Sequence, residues 1–178
     1  MRRDIRELST NDIDQIINYF LQADRDFLRG MGVESKKLPP HDDWYSLILE
    51  DLDRSTPQKN FYYLIWELDG CPVGHSNINK IIFGKEAYMH LHLWKQGKRR
   101  SGNGTYFIRE SINKYFNNFE LQNLFCEPYA MNPAPNKTLA KIGFELVKKY
   151  DTTPGWICFP QTVNRWVLSK EKWLQMST

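Results

Sequence analysis

Between Trp94 and Thr105 the chain reads Trp-Lys-Gln-Gly-Lys-Arg-Arg-Ser-Gly-Asn-Gly-Thr, with cations at Lys95, Lys98, Arg99 and Arg100 and glycines at 102 and 104. Small residues let an anion approach backbone N–H groups closely, and the free amides and dipole at a helix N-terminus favour negative charge. The segment reads either as a phosphate cradle or as a basic surface turn whose glycines serve only the bend. It is not a Walker A loop, because no Gly-Lys-Ser/Thr follows a GxxxxG spacing. Immediately upstream, Tyr88, His90, His92 and Trp94 alternate with Ala87, Met89, Leu91 and Leu93, so an extended segment places both histidines on one face. Two histidines two residues apart also raise the question of metal, but no third ligand stands at a suitable spacing and no zinc site is expected.

Two segments in order resemble a known family. Arg99-Arg100-Ser101-Gly102-Asn103-Gly104 is similar to the phosphate loop Arg/Gln-x-x-Gly-x-Gly/Ala of the GNAT N-acetyltransferases. Downstream, Asn132 to Phe144 resembles their Asn…Leu-x-Lys-x-Gly-Phe segment, closest in pattern to the branch that acetylates ribosomal-protein N-termini. The resemblance covers residues 60–150 and reaches the first 55 only through helix placement. It implies a sheet splayed between its fourth and fifth strands, with acetyl-CoA in the opening. Carried over by position, Arg99, Arg100, Ser101, Gly102, Asn103, Gly104 and Thr105 hold the pyrophosphate, largely through backbone amides. The Leu93–Trp94 backbone pairs with the pantetheine arm, Asn132 bonds that arm or lies near the thiol, and Lys137 reaches a CoA phosphate. Asn132 also reads as a turn residue ahead of Pro133, and Gly143-Phe144 as a helix C-cap followed by a core aromatic.

The family pattern fails at one place. Many members carry a tyrosine four residues before the Gly-Phe pair, where it protonates the departing thiolate; this chain has Leu139. Tyr129 and Cys126 are the substitutes within reach. Tyr129 reads equally as packing beside Pro128, and Cys126 as a small buried hydrophobe. Attack on a thioester needs a neutral amine, and histidine titrates in the useful range. His92, nearest the splay, is the first candidate for the base, ahead of His90, His75 and Glu127; the alternative for each histidine is a hydrogen-bonded structural role.

The elements that position these residues follow from periodicity. Ile5 to Leu8 closes an opening strand, and Ile13, Ile16, Ile17, Phe20 and Leu21 recur at helical spacing after the capping candidates of 9–12. Trp44, Leu47, Ile48 and Leu52 form a second stripe, whose acidic residues Asp42, Asp43, Glu50, Asp51 and Asp53 read as a solvated face. Residues 61–67, 73–82 and 87–94 predict three strands joined by short turns, and 102–116 a helix. A strand over 121–126, a helix over 137–142 and strands over 144–150 and 163–168 complete the chain, with 152–157 as a loop. The expected fold is a single mixed α/β domain over 1–178, an antiparallel meander followed by strand–helix–strand–helix–strand.

Composition narrows the partners. The 178 residues suit one domain, and 24 Lys+Arg against 21 Asp+Glu imply no general affinity for nucleic acid or anionic membrane. Cys71, Cys126 and Cys158 are odd in number and lack ligand spacing, which fits a reducing cytoplasm. No apolar run approaches the roughly 20 residues that span a bilayer. The expected activity is acetyl-CoA-dependent N-acetylation of a primary amine, with a non-catalytic acyl-CoA-binding module as the alternative and a homodimer left open.

Overall fold

The computed structural model describes residues 1–94 and 103–177. Helix α1 (Ile13–Leu21) buries Ile13, Ile16, Ile17 and Phe20, each removal from water contributing about 1.5–3 kcal/mol. Leu21, in the same stripe, faces solvent. A helix not expected, α2 (Arg25–Gly30), starts where the Asp24 carboxylate accepts a hydrogen bond from the Phe27 amide at 2.8 Å. In α3 (His41–Leu52) the acidic face is solvated at Asp42, Asp43 and Glu50, but Asp51 is buried and accepts from the amides of Asn60 and Phe61, both at 2.8 Å.

Seven strands, β1 (Arg3–Glu7), β2 (Tyr62–Leu68), β3 (Cys71–Ile82), β4 (Glu86–Leu93), β5 (Asn123–Cys126), β6 (Glu145–Thr152) and β7 (Gln161–Ser169), form one sheet in the order β1-β2-β3-β4-β5-β7-β6. The first four are antiparallel. Helix α4 (Asn103–Asn118) carries the crossover to β5, which is parallel to β4; β7 then pairs antiparallel with both β5 and β6. This is the mixed sheet expected, with β6 displaced to the edge. Helix α5 begins at Pro133 rather than at Lys137 and runs to Ile142, because prolines in a first turn lose no helical hydrogen bond. A final helix, α6 (Lys170–Ser177), was not expected; it buries Trp173 against α4, whose Asn113 accepts the indole N–H at 2.7 Å.

Two apolar clusters flank the sheet. One joins Trp66, Ile78 and Met89 to Phe107, Ile112 and Tyr115 of α4 and to Leu139 and Ile142 of α5; the other joins Ile65 to α1 and α3. A buried polar chain fixes α4 against the first face. Trp66 Nε1 donates to Ser111 Oγ at 3.0 Å, and Ser76 Oγ bonds both Ser111 Oγ at 2.9 Å and the Tyr115 hydroxyl at 2.6 Å. Each member satisfies its neighbours, so rotation of the helix would leave buried polar atoms unpaired.

The sheet opens between its two halves. Pairing of β4 with β5 covers only Glu86↔Asn123, Ala87↔Leu124 and Tyr88↔Phe125. Past Cys126 the chain follows β7 instead: Asn164 N donates to Pro128 O at 3.2 Å, Ala130 N to Thr162 O at 2.9 Å, and Tyr129 bridges Val163. Met89 to Leu93 therefore have no strand partner on that side among the described residues.

Glycine matters where β3 supports this free end. A Cβ on Gly74 would stand 2.5 Å from the His92 carbonyl oxygen and 3.2 Å from Leu93 Cα, both backbone atoms. Gly74→Ala is expected to cost about 2–3 kcal/mol by forcing β3 and β4 apart, read as a lower midpoint in urea unfolding. An unchanged midpoint would show that the two strands separate there without cost.

Candidate functional site

The β4 wall of the opening is built by register. His75 pairs with His92, Asn77 with His90 and Asn79 with Tyr88 across β3 and β4, so the histidines share one face. Trp94 is held twice: its amide donates to Val73 O at 2.9 Å, and its indole Nε1 donates to His75 Nδ1 at 2.8 Å. An indole nitrogen only donates, so His75 Nδ1 is the bare nitrogen of a neutral ring. The His75 ring stacks on His92 at 4.7 Å, and Tyr19 and Phe20 close on His92 edge-to-face at 5.5 and 5.1 Å. His92 Nδ1 is buried there without a hydrogen-bond partner among the described residues. His90 Nε2 bonds Asn79 Oδ1 at 3.0 Å.

This packing changes what the histidines can do. Burial pushes His75 well below the usual range. His90 is lowered to about 4, by burial first and by the Lys80 charge second, against the opposing pull of Glu127. His92 is lowered to about 3 by burial, with His90 adding to it. All three are neutral near pH 7, and a group titrating at about 3 is a poor proton store for amine chemistry. As neutral rings they are hydrogen-bonding walls.

The β5 wall carries the carboxylate that the sequence ranked last. Glu127 Oε1 accepts from Arg165 Nε at 2.5 Å and from the Tyr150 hydroxyl, while Arg165 Nη2 donates to the Tyr150 oxygen at 2.8 Å. The Arg165 guanidinium also lies over the Tyr88 and Tyr150 rings at 5.8 and 5.2 Å. Both bonds to Glu127 use Oε1, and its side chain is only 7% exposed. The signal in the sequence was an acid directly after the apolar run Leu124-Phe125-Cys126. The Cys126 thiol is pushed up to about 12 by burial, as suits a packing residue. Tyr129 sits edge-on to Phe159 at 5.6 Å, and Leu139 is fully buried in the core. Asn132 is the N-cap of α5 without a capping side-chain bond, and Lys137 is exposed on that helix.

The first turn of α4, which follows β4 in the chain across residues 95–102, contains Asn103, Gly104 and Thr105, with no acidic residue among them. A Cβ on Gly104 would meet nothing within 4 Å among the described residues. Arg99, Arg100, Ser101 and Gly102 lie outside the described residues. The far side is covered by the β6–β7 loop: Glu34 N donates to Ile157 O at 2.8 Å, Lys37 Nζ to Cys158 O at 2.7 Å and Gln161 Nε2 to Gly32 O at 2.7 Å. Trp156 rests half-exposed on Trp44 in the same loop.

These parts suit an elongated acyl thioester with a phosphorylated end. A helix start favours anions, a strand edge without a partner among the described residues can pair with amide groups, and the walls beyond Tyr88 combine neutral rings with one buried carboxylate. Among the described residues no three His, Cys, Asp or Glu side chains converge as a metal site, and no helix is long and apolar enough to cross a membrane.

Comparison with known proteins agrees. The family model for the acetyltransferase (GNAT) domain matches residues 2–145. The fold is similar to the crystal structure of spermidine N-acetyltransferase from Vibrio cholerae in complex with CoA and spermine, with TM-score 0.79 and 15% identity over 97% of this chain and 98% of that one. It is also similar to aminoglycoside acetyltransferase AAC(6')-Ib in complex with coenzyme A and kanamycin, with TM-score 0.76 and 15% identity over 99% of this chain and 100% of that one. Among curated proteins, none matches the sequence at a significant level.

Proposed function

We propose, from the premise that this chain belongs to the acetyltransferase (GNAT) family, that it binds acetyl-CoA between β4 and β5 and transfers the acetyl group directly to the primary amine of a small molecule. The observation that carries this reading is the end of β4–β5 pairing at Tyr88↔Phe125, which leaves Met89 to Leu93 without a strand partner on that side among the described residues. The amides of Asn103, Gly104 and Thr105, with Arg99 to Gly102 before them, hold the pyrophosphate. The Leu93–Trp94 backbone pairs with pantetheine, the uncommitted Asn132 side chain bonds its amide, and Lys137 meets an outer phosphate.

The amine lone pair attacks the thioester carbonyl, the C–S bond breaks, and the CoA thiolate takes a proton from the Tyr129 hydroxyl. His92 offers its unpartnered Nδ1 to the amine, and His90 is held by Asn79 beside it. Because burial leaves both too weakly basic to keep a proton, the amine proton leaves through water toward the Glu127 carboxylate. The spermidine and aminoglycoside enzymes favour a polycationic acceptor over the peptide N-terminus of the ribosomal-protein branch, which those structures do not support. Self-association through β6 is disfavoured by Lys148, Lys149 and the bulge between Leu146 and Lys148. The free thiols of Cys71, Cys126 and Cys158 suit the cytoplasm.

A second reading, a non-catalytic acyl-CoA-binding module, is favoured by the burial of Leu139 where the family often has a tyrosine. Thiol release from acetyl-CoA separates the two, measured with spermidine, kanamycin, a peptide with a free N-terminus and no amine. The expected result is release with at least one of the polycations, rising with pH as the amine loses its proton and without a histidine inflection near 6.5. CoA binding without release for any amine would favour the module.

A further inference from the structure

Asn136, on the second turn of α5, bonds with every atom of its amide. Its Nδ2 donates to Tyr129 O at 3.1 Å and to Asn132 O at 2.7 Å, while its Oδ1 accepts from Asn164 Nδ2 at 2.8 Å and Trp166 Nε1 at 2.9 Å. The orientation of the amide is forced by chemistry. Carbonyls only accept and an indole only donates, so the reversed amide would break at least three of the four bonds. The same amide thus grips the two residues that frame the β5–α5 loop and ties them to two side chains of β7.

We propose that Asn136 is a positioning residue, setting the place of Asn132 against the β7-held Tyr129 at the thioester end of the opening. This rests on the acetyl-transfer reading above. The loop has few other restraints: Pro128, Pro133 and Pro135 donate no amide hydrogen, and the backbone bonds to β7 end at Ala130. Past Ala130, Asn132 is reached by its own amide bond to Tyr129 O and by Asn136. Tyr129 stays on β7 through the backbone bonds at Pro128 and Ala130, so without the clamp it is Asn132 that loses its fixed separation from Tyr129 and β7, while the pyrophosphate contacts proposed at α4 are untouched.

The test measures kcat and CoA affinity side by side in Asn136→Ala. The expected result is a fall in kcat of about 30- to 100-fold, the scale of an ångström-level misplacement, with the CoA dissociation constant by calorimetry raised no more than about tenfold, the scale of one lost hydrogen bond to pantetheine. Wild-type kcat in the folded variant would overturn the assignment, as would a parallel loss of kcat and CoA affinity, which signals general loosening. If Asn136→Ala fails to fold, Asn164→Ala removes one donor to Oδ1 and keeps both bonds to the loop. It should lower kcat by about three- to tenfold, and an unchanged kcat there would overturn the role. A wild-type protein that binds CoA but acetylates no amine would overturn the underlying reading, and the role with it.

Discussion

Lowering the pH from 7 to 5 is expected to remove several kcal/mol from the stability of the folded chain. In the unfolded chain His75, His90 and His92 titrate near 6.5, whereas in the fold burial holds His90 at about 4, His92 at about 3 and His75 well below the usual range. Below 6.5 the unfolded chain therefore binds protons that the folded chain refuses, and stability falls as pH falls until the folded values are reached. Each histidine kept neutral contributes a loss of about 2 kcal/mol between pH 7 and 5, so about 6 kcal/mol is the upper bound for three. Asp12, lowered against the Arg6 guanidinium, acts only under the ordinary carboxylate range and does not enter this window. Exposed His41, raised by Asp42 and Asp14, opposes the trend. Urea unfolding at several pH values checks it. His90→Gln should flatten the curve by about a third, and a wild-type curve level between pH 7 and 5 would show that water reaches these rings.

The same histidines show where the sequence was legible and where it stopped. Alternation along β4 told which residues share a face, because the two-residue period is a property of the backbone alone. It could not tell that Tyr19 and Phe20 of α1 would close on His92, since that contact joins segments more than seventy residues apart. The proton affinity of His92 depends on that burial, which alternation along one strand does not show. Glu127 was undervalued for the mirror reason: its partners Tyr150 and Arg165 come from β6 and β7, and only the β5-β7-β6 order brings them together.

Local signals were read well when they were dense. The stripe of α1 and the glycine that ends α5, with Gly143 at φ 113° before buried Phe144, needed nothing beyond neighbouring residues. Short elements were lost where one residue carried the signal. Asp24 alone announces α2, and α6 is fixed by Trp173 reaching across to Asn113. Asp51 looked like its exposed acidic neighbours, yet it caps the chain at Asn60 and Phe61, a turn nine residues ahead that charge counting does not foresee.

Gly104→Glu is expected to weaken CoA binding by about 100-fold or more while leaving the fold intact or slightly firmer. The two effects have opposite signs because they act on the same helix start. A glutamate in the first turn of α4 replaces a poor helix former and lies at the positive end of the dipole, which together favour the helix by about 1 kcal/mol. The new Cβ meets nothing within 4 Å among the described residues, so none of them strains against that gain. In the proposed acetyl-CoA reading, however, that space is where the pyrophosphate approaches the amides. Bulk and negative charge there exclude at least two charge-assisted hydrogen bonds of about 1.5–3 kcal/mol each, and 2.8 kcal/mol already corresponds to about 100-fold in affinity. Gly104→Ala adds a methyl group without charge and should change affinity far less. Calorimetry and thermal melting on the three proteins separate the contributions. Unchanged CoA affinity in a folded Gly104→Glu protein would place the phosphates elsewhere, whereas lost affinity with an undiminished melting temperature ties them to the start of α4.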